Sequence, residues 1–100
     1  IGILNTFDAA ETFFIQIVLQ KVADEAEQDI TTKIDSAKVQ SWAFYDSGAL
    51  SVESNGHHKE ALLVQVPTDA VKGQYIFVAT VVLDDGTSYG NPQTFIVKVI

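Results

Sequence analysis

Apolar side chains recur at every second position over two stretches of the chain, the spacing a half-buried β-strand requires. Residues 75–83, YIFVATVVL, are apolar at nearly every position, as in a central strand covered on one face and partly on the other. Phe95, Val97 and Val99 alternate with Ile96 and Lys98. Residues 73–100 therefore predict a long hairpin, turned at Asp84-Asp85-Gly86, against which the rest of the chain packs.

Over residues 12–22, Phe13, Ile15, Ile17 and Leu19 fall on one face, with Gln16, Val18 and Gln20 on the other. A helix competes for residues 12–34: Ile15, Leu19, Val22, Ala26 and Ile30 also fit helical spacing, and Asp8 with Glu11 has the spacing of a capping box. The β-branched and aromatic content of residues 13–19 favours the strand, because such side chains lose rotamer freedom in a helix. Residues 23–29, ADEAEQD, then become a solvated acidic connection. Shorter strands are expected over residues 1–4, 30–34, 39–45, 49–53 and 60–66. In the third of these Trp42 and Phe44 point one way while Ser41, Ala43 and Tyr45 point the other. In the last, Leu62, Val64 and Val66 share a face, and Pro67 ends the run. About seven strands at spacings of roughly ten residues predict an all-β, antiparallel sandwich, one domain over residues 1–100.

Parity sets the hairpin register. A two-residue loop at Asp85-Gly86 would oppose Tyr75 to Ile96 and send Phe95, Val97 and Val99 to the wrong face. A three-residue loop, Asp84-Asp85-Gly86, closed by Gly86 in the left-handed region, opposes Tyr75 to Phe95 and Val81 to Tyr89. Tyr75, Phe77, Ala79, Val81 and Leu83 then face inward beside Phe95, Val97 and Val99. Pro92 has no N–H to give a ladder, so a bulge is expected around Gly90-Asn91-Pro92.

The pattern Gly73-x-Tyr75-x-Phe77-x-Ala79-x-Val81, then Asp85-Gly86 and Phe95-x-Val97-x-Val99, resembles the last two strands of immunoglobulin-like domains. Fibronectin type III and PKD-like surface modules are the nearest likeness. Trp42 looks like the core tryptophan of that architecture, and Tyr75 like its corner tyrosine. The resemblance implies an immunoglobulin-like sandwich with a habit of binding. The chain departs from it in lacking a cysteine pair, and in carrying Val71 where an Asp usually precedes the corner tyrosine by four positions.

Composition narrows the function. Thirteen acids against six lysines and no arginine give a net charge of −7. That charge repels a phosphate backbone and disfavours nucleic acid and anionic membranes, and the missing arginine removes the side chain best suited to bidentate phosphate capture. With no cysteine there is neither a disulfide framework nor a thiolate site. The apolar run at residues 12–22 is too short to span a bilayer as a helix. The absence of an initiator methionine suggests processing or an excised piece.

Candidate chemistry is sparse. His57-His58, with Glu53 and Glu60 nearby, has the residue types of a metal site, but neighbours on a strand point to opposite faces, and a polar turn after Asn55-Gly56 accounts for the pair. Asp84-Asp85-Gly86 offers two carboxylates where calcium takes about six to eight oxygens. There is no Gly-x-Ser-x-Gly elbow and no carboxylate in an apolar setting, so neither an enzyme nor a cofactor is expected. What remains is apolar surface predicted to face outward: Ala43, Tyr45, Ile76, Val78, Thr80, Val82 and Ile96. Of these, Tyr45, Ile76, Val78, Val82 and Ile96 are the candidate protein interface. Ile1, Ile3 and Leu4 form a candidate strand for donation to a neighbouring subunit. The expected function is a non-catalytic structural or protein-interaction module of an extracellular, filament or virion surface assembly. A carbohydrate-binding module, with Tyr45, Tyr89 and Trp42 as stacking platforms, is the alternative.

Overall fold

Two long strands carry the fold in the computed structural model, which describes residues 1–100. They are β2 (Glu11–Ala23) and β7 (Gly73–Leu83), paired antiparallel along almost their whole length. The alternation of β-branched and aromatic side chains over residues 13–19 thus resolves as a strand. Phe13 opposes Leu83 and Leu19 opposes Phe77, but Lys21 opposes Ile76, so Gln20 is an extra residue in β2. This bulge reverses the facing of the rest of the strand: Val22, an even position, turns inward against Tyr75, and both are buried.

β8 (Gln93–Val99) continues the sheet on the far side of β7, and β4 (Leu50–Val52) pairs with the start of β2, giving the order β4-β2-β7-β8. The expected three-residue turn is present. Leu83 N donates to Thr87 O at 2.8 Å and Tyr89 N to Val81 O at 2.8 Å, while Gly86 takes a φ of 86°. The Asp85 carboxylate accepts from Thr87 N at 2.9 Å. Hydrogen bonding from Thr87 holds its pKa below the usual aspartate value. Further along, Tyr75 opposes Val97 and not Phe95. Two residues are taken up between Tyr89 and Gln93, where Gly90 has a φ of 76° and Pro92 breaks the ladder. Because the shift is even, the inward faces of β7 and β8 still coincide.

Two short ribbons complete the strands: β1 (Gly2–Leu4) with β5 (His57–Lys59), and β3 (Ala43–Phe44) with β6 (Leu63–Val64). The chain is all-β, with eight strands in three antiparallel sheets and a single one-turn helix. Several local expectations are corrected. Residues 30–34 form a 3-10 turn (Thr31–Lys33), and the first two residues of the expected strand at 39–45, Val39 and Gln40, belong to the helix α1 (Ser36–Gln40). Asp35 caps that helix by accepting from Lys38 N at 3.3 Å. Trp42 and Ala43, expected to point apart, are both buried, because Trp42 still lies in the turn that closes the helix and strand alternation begins only at Ala43. Only Leu63–Val64 of residues 60–66 is strand, and Val64 and Val66 are exposed. The acidic connection is a tight turn in which Asp24 Oδ1 accepts from Ala26 N and Gln28 N, each at 2.9 Å.

The inner face of the four-stranded sheet carries two cores in series. The first gathers Ile3, Phe13, Ile15, Leu50, Val52, Ala79 and Val81. The second gathers Val22, Ile30, Val39, Trp42, Ala43, Tyr75 and Phe77. A thirteen-residue strand spans roughly 43 Å at about 3.3 Å per residue, so β2 and β7 run under both. The molecule is accordingly long, 49 × 21 × 19 Å, with a radius of gyration of 15.5 Å where a compact domain of this length has about 13 Å.

Candidate protein interface

The outer face of the sheet follows from the register. Side chains of β7 alternate, so Ile76, Val78, Thr80 and Val82 point away from the cores. Ile76 lies directly opposite Ile96 on β8, and Val78 directly opposite Val18 on β2. These four form a contiguous apolar patch in which Val18 is 49% and Ile96 58% exposed, while Ile76 and Val78 are half-buried. A sheet with one face on a core ordinarily turns polar residues to water on the other; here Gln16, Thr80, Gln74 and Lys98 do so around the patch, and Lys21 opposite Ile76 and Thr94 opposite Val78 flank it across the strands.

The structure therefore brings together Ile76, Val78 and Ile96 and separates the other candidates from them. Val82 is 4% exposed and opposes Phe14, so it is not available as surface. Tyr45 is not on this face. Its ring packs on the first core and its hydroxyl accepts from Ile15 N at 3.1 Å, at the β4 side of β2. Ala43 is buried in the second core. Ile3 is buried within this same chain, because β1 pairs with its own β5, Ile3 against His58. Of the candidate donated strand Ile1, Ile3 and Leu4, Ile3 fills the first core and Ile1 packs against it in this intrachain pairing, while Leu4 is exposed. Val18 is the member of this patch that sequence reasoning missed: alternation places it on the outer face of β2, but its pairing with Val78 depends on a register between distant segments.

The aromatic residues considered as sugar platforms are committed to packing. Trp42 is buried with its ring centroid 4.7 Å from that of Tyr75. The Tyr89 ring sits 4.9 Å from Phe13, and its hydroxyl donates to Leu4 O and accepts from Thr6 N at 3.0 Å. The Tyr75 hydroxyl donates to Val71 O, four residues upstream, and burial pushes its pKa up.

The histidine pair sits on β5, where the two side chains alternate across the strand. His58 Nε2 lies 2.8 Å from Glu60 Oε1, and Ser47 Oγ donates to Glu60 Oε2 at 2.8 Å. These bonds, from His58 first and Ser47 second, hold the Glu60 carboxyl below its ordinary range. His57 turns to the other side, against Gly2. No three histidine, aspartate or glutamate side chains converge on one point. A cleft at the end of the ribbon, between the residue 23–29 turn and the last residues of β8, is lined by Asp24, Glu25, Glu27, Lys72 and Lys98. No family model, curated protein or solved structure matches the chain.

Proposed function

We propose that this chain is a non-catalytic, immunoglobulin-like module that works through protein contacts in a surface assembly, such as an extracellular protein, a filament or a virion. The observation that carries the reading is the contiguous apolar patch of Val18, Ile76, Val78 and Ile96 on the outer sheet face. Surface of that kind, on a chain otherwise carrying a net charge of −7, favours a protein partner over a phosphate-rich one.

Two features support the immunoglobulin-like part. The Tyr75 hydroxyl reaches back to Val71 O as a corner tyrosine does, and Trp42 packs against the same ring. The strand order departs from that architecture, since β2 pairs directly with β7, whereas an immunoglobulin sandwich places its second and sixth strands in opposite sheets. The likeness is in the core around Tyr75.

The test is particle size measured over a concentration series, alone and with the assembly's other components. Ile76→Thr with Val78→Thr keeps β-branched strand formers on the outer face while removing apolar surface. The pair is expected to weaken association and to leave a cooperative melting transition. Unchanged association would remove the interface reading.

A further inference from the structure

We infer that the open edge of β8 pairs with the same edge of a second copy of this chain, antiparallel, with Ile96 on the two-fold axis. This rests on the proposed protein-interaction role and names its partner and register.

The two long edges of the sheet are treated differently. Along β2, beyond the short β4, side chains and a turn occupy outward backbone groups at Ile15, Leu19 and Val22. Tyr45 Oη accepts from Ile15 N at 3.1 Å, Gln40 Oε1 from Leu19 N at 3.3 Å and Thr31 Oγ1 from Val22 N at 2.9 Å, while Ile30 N donates to Val22 O at 2.9 Å. Such plugs prevent another strand from adding there. The β8 edge has none: its only partner strand is β7, and no backbone bond from a turn or loop reaches Gln93–Val99. Nor does β8 carry the usual defences, having one lysine, no bulge after Gln93 and its proline before the strand begins.

The direction of its backbone groups follows from the ladder. Since the N–H groups of Ile15 and Leu19 point away from β7, their partners Val81 and Phe77 point theirs toward β8, as the bond from Tyr89 N to Val81 O shows. Gln93, Phe95, Val97 and Val99 therefore bond to β7, and Thr94, Ile96 and Lys98 present N–H and C=O to the open side.

That edge complements itself, which an isologous contact requires and a contact with an unrelated strand does not. A two-fold axis at Ile96 sets it against the partner's Ile96 and sets Thr94 against the partner's Lys98. On the inner side Phe95 meets the partner's Val97, an aromatic and β-branched pair, covering a row of side chains that the edge position leaves half-exposed. Neither β7 nor β8 contains an acid, although the chain has thirteen, so no carboxylates are forced together. Pro92, with no N–H, ends the pairing at its far end. Joining the edges makes one eight-stranded sheet, with the two outer apolar patches meeting at Ile96.

The chain has no cysteine, so a single introduced thiol is unambiguous. Hydrogen-bonded pairs stand about 5.5 Å apart at Cα, within disulfide reach. Under mild oxidation Ile96→Cys is expected to give a covalent dimer at least about tenfold faster than the comparably exposed Val18→Cys, through the raised effective concentration at the axis. Thr94→Cys and Lys98→Cys should cross-link slowly alone and quickly when mixed. Ile96→Pro should abolish association without unfolding the chain, because the Ile96 N–H is not part of the β7 ladder. If Ile96→Cys is no faster than Val18→Cys while Ile76→Thr with Val78→Thr still weakens association, the edge pairing is overturned and the interface reading stands. If the wild-type chain stays monomeric alone and with its assembly's components, and Ile96→Cys is no faster, both fall.

Discussion

Asn5 is the one polar side chain among the buried residues, 0% exposed beside Ile3 and Val52. Its amide is fully used: Nδ2 donates to Ala9 O at 3.0 Å and to Val52 O at 2.9 Å, and Oδ1 accepts from Phe7 N at 2.9 Å. Its backbone N–H and C=O bond to Gly56 and Asn55. One residue thus fastens the segment after β1, its side chain to β4 and its backbone to the turn that leads into β5. Removing the side chain strands the buried Val52 O and leaves the part-buried Ala9 O and Phe7 N to find water, so Asn5→Ala is expected to cost roughly 1–3 kcal/mol in urea denaturation; a loss under about 1 kcal/mol would mean that water replaces the amide at Val52 as well. Nothing in the sequence distinguishes this residue, because Asn5-Thr6 reads as an ordinary polar break after a short strand. Tyr75 was legible by contrast, since alternation alone puts its ring inward. The candidate interface residues divide in the same way. Parity located Ile76, Val78 and Ile96, whereas Val82 and Tyr45 are decided by what packs beside them, Phe14 and the first core, which no local pattern encodes.

Among the elements, β2 and β7 were readable because β-branched and aromatic alternation persists long enough to outweigh helical spacing. The failures lie where a single residue changes the phase. Gln20 reverses the facing of β2, and Asp35, a helix cap by residue type, starts α1, which runs on through Val39 and Gln40 into what alternation offers as strand. The meeting of β2 with β7 ends in a close approach at Gly73, which has a φ of 154°. A β-carbon built there would stand 2.3 Å from Ala23 O, a backbone atom held in the ladder. Gly73→Ala must therefore separate the strand ends next to the buried pair Val22 and Tyr75. We expect a loss of roughly 1–3 kcal/mol, the scale of local backbone strain, and faster amide exchange at Ala23 and Gln74. Gly86→Ala is the comparison, since its β-carbon would meet no atom within 4 Å and only the positive φ opposes it. Equal effects from the two substitutions would count against the close-contact explanation.

At the scale of the molecule, two cores lie end to end on one ribbon, an arrangement open to either independent or joint unfolding. Continuity of β2 and β7 beneath both favours joint unfolding, and so do Ile17 and Phe95, each of which packs against both cores. The bulge at Gln20 does not divide them, because the second core already includes Phe77, paired with Leu19 on the near side of it. Melting one end would leave half of each long strand without cover on its inner face, and a bare two- or three-stranded ribbon is at most marginally stable in water. Leu50→Ala, confined to the first core, and Val39→Ala, confined to the second, should each lower the same single transition. The losses should be about 2–5 kcal/mol for the leucine and somewhat less for the smaller valine. Amide exchange along β2 and β7 should slow to one common limit on both sides of Gln20, set by global unfolding. Two resolved transitions, with each substitution moving only its own, would make the ribbon a pair of separately folding halves. The β8 edge and the outer patch would then belong to different cooperative units at Gln93 and at Val99, and pairing of copies through β8 would stabilise one half more than the other.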